Sequence, residues 1–211
     1  MLKKITTKSK VFLLKSIIHL AALLPLLNIY FLAFIDQLGA DPVQRIIHFT
    51  GIGALNILLF TLAVTPIAKQ FKLGYLLQTR RLLGLYSFVY AFMHITNFLA
   101  FDLQFAWSLF FSEIVERPYI TIGMLAFILL TALAITSHNT LRAKMGKSWQ
   151  QLHNAIYLIG VLVVIHFYWS VKSELSSPVI YAVITLSLLL FRYKKIKALI
   201  LSMFSNKTVK F

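Results

Sequence analysis

Six long apolar runs dominate this sequence and set what it can fold into. They lie at about 11–35, 46–68, 81–101, 118–137, 150–171 and 176–192. Most of them reach the roughly 20 residues with which a helix crosses the hydrocarbon core of a bilayer, and the sixth is short. Because a backbone in lipid must satisfy its hydrogen bonds within its own segment, the runs are expected to be helical. The sequence predicts an all-α polytopic membrane bundle with six transmembrane helices and a single domain, 1–211.

The composition agrees with this reading and excludes several classes of site. Apolar residues make up 59% of the chain, against roughly 45–50% in soluble domains. The chain has no cysteine, which excludes disulfides, iron–sulfur clusters and thiolate metal sites. The net charge of +15 does not indicate a nucleic-acid partner, because the basic residues fall in short clusters between apolar runs.

The basic clusters predict an orientation in the membrane. All but three of the 21 lysines and arginines lie on one side of the bilayer in this topology, and the exceptions are Arg45, Arg117 and Lys172. The six acidic residues lie with those exceptions on the other side. The positive-inside rule therefore predicts that both termini are cytoplasmic.

The loops leave no room for a soluble catalytic domain. The sequence has no glycine-rich dinucleotide-binding or phosphate-binding motif, and no internal repeat or low-complexity linker is expected. Any soluble enzymatic domain would have to belong to another chain.

His94 and His166 are the strongest candidate cofactor ligands. An imidazole at membrane depth is costly and is by default a candidate for function. His94 lies thirteen residues into the third span, on a stripe with Gly84 and Ser87, and His166 reaches nearly the same depth on the fifth. Two such rings on parallel helices can hold one haem iron from opposite faces, and no carboxylate accompanies them as a hard cation would require. The alternative is two imidazoles that only pack between helices.

His153 lies near the basic end of the fifth span, about 20 Å below His166 along a continuous helix. On such a helix it would share a face with Tyr157, Gly160 and Val164, where the glycine lets a ring lie close. We expect His153 to hold a second haem or another redox cofactor, and the alternative is an interfacial histidine bonded to headgroups or to Gln150.

The other candidates are weaker. His48 opens the second span and could reach the edge of a haem or a quinone, His19 lies near the depth of His153, and His138 is expected at the membrane interface. The Arg80-Arg81 pair is a topology anchor or a pair of guanidiniums for haem propionates, a flavin phosphate or an anionic partner surface.

Six segments together carry a resemblance that covers nearly the whole chain. They are LGADPVQRIIHFTG at 38–51, TRRLLGLYSF at 79–88, FMHIT around His94, GKSWQQLHN at 146–154, IHFYWSVK at 165–172 and FRYKK at 191–195. In combination they resemble the MsrQ family, the haem-binding membrane subunit of bacterial periplasmic protein-methionine-sulfoxide reductase.

The resemblance implies a ferric-reductase-like six-helix fold in the bacterial inner membrane, with haem b (one, or two) and FMN as cofactors. It implies electrons from quinone, or from a cytosolic flavin reductase, that pass to a periplasmic molybdopterin-containing reductase of methionine sulfoxide. The catalytic site would lie on that partner. The positions that match the family's haem histidines are His94, His153 and His166. Arg81 stands where the wider superfamily carries a further histidine, so that His153 would need another partner such as His19.

Three alternatives remain open at this stage. The same fold could pass electrons to a ferric or other metal chelate. The intramembrane histidines could form the proton relay of a transporter, although discontinuous helices and midplane carboxylates are not evident. The chain could also be a structural anchor for a partner enzyme.

Overall fold

A computed structural model describes residues 6–171 and 175–205 of the chain. All regular structure in these two ranges is helical. The α-helices are α1 (Thr7–Phe34), α2 (Pro42–Gln70), α3 (Arg80–Asn97), α4 (Trp107–Glu116), α5 (Pro118–Ile135), α6 (Asn139–Met145), α7 (Lys147–His153), α8 (Ile156–Ser170), α9 (Ser176–Leu190) and α10 (Tyr193–Ser205). A 3-10 helix, Gly74–Thr79, leads into α3, and a π-helix, Phe98–Asp102, follows it. The prediction of an all-α membrane chain is confirmed.

Five stretches within the described ranges are long and apolar enough to cross a membrane. They are Thr7–Phe34, Pro42–Gln70, Gly74–Asp102, Pro118–Ile135 and Lys147–Ser170. The predicted sixth span corresponds to α9, which has 15 residues and so measures about 22 Å against a hydrocarbon core of about 30 Å. The multi-pass architecture is confirmed, whereas the sixth crossing stays a prediction.

The helix ends follow from local chemistry. The Thr6 hydroxyl accepts the backbone N–H of Ser9 at 3.3 Å, and the Asp41 carboxylate accepts that of Gln44 at 2.9 Å. Proline at the first position, where no N–H is needed, begins α2 and α5. Gly146, with φ +53°, separates α6 from α7 because few other residues adopt that conformation.

Helix α2 lies at the centre of the packing. Its most extensive contact is with α3, and the second most extensive pairing in the described chain is α5 with α8. One face of α2 packs Leu58 against Ala126 and Leu130 of α5 and Ile159 of α8. Another packs Leu55, Leu59 and Leu62 against Tyr157 and Phe167 of α8. The side chains on the outside of α1 are exposed, as expected where lipid is the solvent.

Polar contacts join α3 to its neighbours across the apolar interior. Ser87 donates to the Ala54 carbonyl of α2 at 3.0 Å, and Tyr90 donates to the Ala22 carbonyl of α1 at 2.6 Å. The Tyr90 ring passes α2 at Gly53, where an added Cβ would overlap the ring. The small-residue stripe on α3 is therefore a helix-packing surface along part of its length.

The fifth span is interrupted, which the sequence did not predict. Helix α7 ends at His153 and α8 begins at Ile156, with Asn154 and Ala155 in a tight turn between them. The N–H of Ala155 bonds to the Leu152 carbonyl at 2.9 Å, a three-residue step that replaces the α-helical one. The face predicted for His153 on one continuous helix, with Tyr157, Gly160 and Val164, therefore does not apply.

Several short elements also lie outside the predicted spans. Helix α4 packs Phe110 against Leu99 and Leu103 at the end of the bundle opposite the basic clusters.

Some charged residues that entered the orientation argument lie outside the described residues, namely Lys3, Lys4, Lys172, Glu174, Lys207 and Lys210.

Candidate functional site

The structure brings His94 of α3 and His166 of α8 together. Their ring centroids are 6.2 Å apart, and the ring planes make an angle of 82°. Both side chains are partly buried. The prediction that two imidazoles meet at one depth on the third and fifth spans agrees with this geometry.

The hydrogen bonds of the two rings fix which nitrogen is free. His94 Nδ1 lies 2.9 Å from the Ile47 carbonyl of α2, and His166 Nδ1 lies 2.7 Å from the Tyr119 carbonyl of α5. A carbonyl oxygen only accepts, so each Nδ1 carries the proton and each Nε2 keeps its lone pair. Neither Nε2 has a hydrogen-bond partner among the described residues. A backbone carbonyl that orients one nitrogen while the other faces a metal is the usual support of a ligating histidine.

Two glycines hold the rings in place. A Cβ at Gly51 would lie 3.0 Å from Cε1 and Nδ1 of His94, and a Cβ at Gly123 would lie 2.7 Å from Nδ1 of His166. Real Cβ atoms do not approach ring atoms as closely as the second distance. The backbone of α2 and of α5 therefore lies directly against the imidazole that it binds.

The two half-sites have the same construction, although the residues around them show no internal sequence repeat. Each imidazole bonds a carbonyl 47 residues earlier in the chain. Each also packs on a glycine four residues after that carbonyl. The pairs α2–α3 and α5–α8 thus carry one motif twice. Thirteen residues before the histidine, the first copy has Arg81 and the second has His153.

Sequence reasoning did not single out Ile47, Gly51, Tyr119 or Gly123 as parts of one site. The equal spacing from each glycine to its histidine was the available signal. It is invisible to a search for similar strings, because the residues around the two copies differ.

The donor set fits a cofactor that brings its own equatorial ligands. No group of three or more His, Cys, Asp or Glu side chains that could hold a bare metal ion occurs in the described part of the chain. Two free imidazole nitrogens suit the axial positions of a haem iron.

His48 lies at the margin of this pair. Its ring centroid is 6.3 Å from that of Phe167, the residue after His166. It also lines a cleft of about 400 Å³ between α1 and α2, which combines apolar walls with polar side chains. The residues that line the cleft include Ile29, Leu32, Arg45, His48 and Asn56.

His153 lies in a separate group at the basic end. Its ring stacks on Trp149 with centroids 4.0 Å apart, and Arg142 covers the Trp149 ring at 4.7 Å. Its Nε2 is 3.1 Å from the Thr136 hydroxyl, which itself donates to the Ala132 carbonyl at 2.6 Å. Nε2 therefore donates to that hydroxyl, and Nδ1 keeps the lone pair, the opposite tautomer from the His94–His166 pair.

The face expected for His153 does not form. Gly160 packs in α8 against Leu62 and Thr185, where a Cβ would make ordinary contacts of 3.6 and 3.7 Å. Tyr157 lies in the core with α2, while His153 turns to α5. The glycine serves helix packing because the turn at 154–155 separates its helix from that of His153.

His19 and His138 lie apart from both histidine groups. His19 Nδ1 contacts the Tyr86 hydroxyl at 2.5 Å, and among the described residues the contacts of His153 are with Thr136 and Trp149 and not with His19. His138 is exposed and caps α6, where its Nδ1 accepts the backbone N–H of Thr140 at 3.4 Å.

Arg80 and Arg81 point in different directions. Arg81 is exposed and donates to Asn139 at 3.0 Å. Arg80 is partly buried, with its Nε shielded from solvent, because neighbouring residues on a helix face about 100° apart. The two guanidiniums do not form one clamp.

Comparisons with known proteins agree with this architecture. Residues 49–164, more than half of the chain, match the family described as ferric reductase like transmembrane component. The matched region includes His94, His153 and both glycines of the half-sites. No solved structure matches the chain. The chain belongs to the family of ferric-reductase-like transmembrane components.

Proposed function

We propose that this protein is a haem b membrane subunit that carries electrons across the bilayer, with His94 and His166 as the axial ligands of one haem. The single observation that carries the proposal is the matched pair of free Nε2 atoms, each fixed by a backbone carbonyl through Nδ1. Membership of a ferric-reductase-like family supports a role in membrane electron transfer.

The chain's own residues account for how such a site would work. The Ile47 and Tyr119 carbonyls hold each imidazole in one tautomer and raise its basicity as a ligand. Gly51 and Gly123 set the position of each ring. A haem held by His94 and His166 would supply reversible one-electron transfer. The protein contributes position and potential, and substrate chemistry belongs to a partner.

We further propose that the donor is a quinone and that the acceptor is a periplasmic molybdopterin-containing reductase of methionine sulfoxide, as the resemblance to the MsrQ family implies. The cleft between α1 and α2 supports a lipid-soluble donor because His48 lines it and also lies near Phe167, the residue after His166. FMN and a cytosolic flavin reductase are further proposals from the same resemblance. His153, with a free Nδ1 stacked beside Trp149, is the candidate for a second redox site. Of the two arginines, Arg80 is the candidate to contact an acidic group of a cofactor, whereas Arg81, exposed and bonded to Asn139, is a topology anchor.

The test is the haem content and spectrum of the purified protein. We expect a pyridine haemochrome signal and a sharp reduced-minus-oxidised band in the wild type. Both His94→Ala and His166→Ala should lose the band, because each variant removes one axial ligand. His138→Ala is the matched control, since His138 is exposed and distant from the pair. A colourless wild type, or an unchanged band in both ligand variants, would contradict the assignment.

The alternative electron acceptor is a ferric or other metal chelate. The name of the matched family favours a ferric chelate. The quinol-reduced protein should be reoxidised by the periplasmic partner with methionine sulfoxide present. Reoxidation by ferric citrate alone, with no response to the partner, would assign the chain to metal-chelate reduction instead.

A further inference from the structure

Two arginines lie inside the basic end of the bundle without an acidic partner. Arg80 begins α3, and Arg192 follows α9. Both are partly buried and close enough to repel each other electrostatically. No acidic side chain of the described residues forms an ion pair with either. Buried charges in folded proteins are normally paired, so this pair requires an explanation.

The hydrogen bonds of Arg192 fix its guanidinium with neutral groups. Its Nη1 donates to the Tyr157 hydroxyl at 3.0 Å, and its Nη2 donates to the Leu62 carbonyl at 2.9 Å. The guanidinium also lies over the Tyr157 ring, 5.5 Å from its centroid. These contacts orient the group, but they supply no negative charge.

Both guanidiniums keep unused donors. Nε of Arg80 and Nε of Arg192 are buried and have no hydrogen-bond partner among the described residues. Arg80 makes no hydrogen bond to any of those residues. Two unsatisfied buried donors on cations that repel each other are costly, and a bound oxyanion would supply an acceptor and the missing negative charge.

The position indicates which anion is at hand. The group lies at the membrane end that carries most of the lysines and arginines, which is the depth of lipid headgroups. Arginine binds phosphate through two parallel hydrogen bonds, and basic pockets between transmembrane helices bind anionic headgroups.

We propose that Arg80 and Arg192 form an anion site for a phosphate group, supplied either by an anionic phospholipid or by a soluble phosphate-bearing ligand. The site is separate from the His94–His166 pair and does not depend on haem. It replaces the expected Arg80-Arg81 clamp with a pair drawn from α3 and the end of α9.

The first test measures thermal unfolding of the full chain after extensive washing in a neutral detergent. At about one hundred times the dissociation constant, phosphatidylglycerol should raise the wild-type Tm by about 5–10 °C. Inorganic phosphate is the second probe, and diacylglycerol is the uncharged lipid control. A shift with phosphatidylglycerol alone assigns the site to lipid, and a shift with inorganic phosphate assigns it to a soluble ligand. No shift with either probe would overturn the proposal.

Arg80→Gln and Arg81→Gln form the matched pair of variants. Arg80→Gln should weaken binding of the effective probe about tenfold or more, while Arg81→Gln should bind as the wild type does. Without anion, Arg80→Gln should melt at or above the wild-type Tm, because it removes the repulsion of Arg192. Equal binding by both variants, or a large loss of anion-free stability in Arg80→Gln alone, would show that Arg80 is only structural. Arg80→Lys, which keeps the charge, is the second variant and should bind with intermediate affinity.

Discussion

At the scale of single residues, the site depends on groups that carry no reactive chemistry. Two backbone carbonyls accept the Nδ1 protons of His94 and His166 and so determine the tautomer of each ring. Two glycines allow the helix backbone to lie directly against the rings. Histidines at one depth could be read from the sequence because helical rise is regular. Their partners could not, since the carbonyls and glycines act through tertiary contact.

The glycines give a graded prediction. Gly123→Ala should weaken haem retention about 10–100-fold, the usual effect of disturbing the support of a ligand, because its Cβ would lie 2.7 Å from His166 Nδ1. Gly51→Ala, at 3.0 Å from His94, should have a smaller effect. The measurements are haem content after gel filtration and the position of the reduced band.

Gly160→Ala is the control for this series. Its Cβ would make ordinary contacts with Leu62 and Thr185, so the haem spectrum should not change. A uniform response of all three variants would mean that the glycines act through general helix packing and not through the imidazoles.

At the scale of helices, the bundle is held by close packing with a few buried hydrogen bonds. Hydropathy alone identified the long spans, because crossing a membrane is a property of each segment. It did not identify the turn at 154–155, because neither Asn154 nor Ala155 is a glycine or proline that would mark a helix break. The break matters because His153 bonds to Thr136, which follows α5, while Tyr157 packs on α2.

Tyr90 provides a test of how α3 is fixed to α1. Its hydroxyl donates to the Ala22 carbonyl at 2.6 Å, so Tyr90→Phe should lower the free energy of unfolding by about 0.6 kcal/mol and by no more than about 1.7 kcal/mol. Unfolding in mixed micelles with increasing dodecyl sulfate measures this change. Tyr168→Phe, at an exposed tyrosine, is the control and should leave the unfolding midpoint unchanged. Equal effects of the two variants would show that the Tyr90 hydrogen bond does not fix α3 to α1.

At the scale of the whole molecule, the charge asymmetry favours a sixth membrane crossing by α9, whereas the short length of α9 opposes it. The basic residues after α9 favour a cytoplasmic C-terminus. A helix of 15 residues spans the core only if the bilayer thins or flanking residues extend to the interface, at a modest cost per ångström of mismatch. We expect the charge asymmetry to outweigh the cost of mismatch, so that α9 crosses the membrane and the C-terminus is cytoplasmic.

Reporter fusions test this expectation. A fusion after Val171 should place its reporter in the periplasm and activate alkaline phosphatase, whereas a fusion at the C-terminus should place it in the cytoplasm and give fluorescent green fluorescent protein. The change of side between the two fusions is the evidence for a sixth crossing. If both fusions report the same side, α9 does not cross the membrane.

The sequence by itself determined the membrane class, the helical secondary structure and the basic end of the bundle. These properties depend on hydropathy and charge summed over short segments, and neither needs knowledge of neighbouring helices. The tertiary structure decided that Ile47 and Tyr119 orient the two imidazoles, that His153 bonds to Thr136, and that Arg80 is partly buried while Arg81 stays exposed. Such contacts join residues far apart in the chain, so they depend on how the helices pack and rotate, which no local pattern of residues specifies.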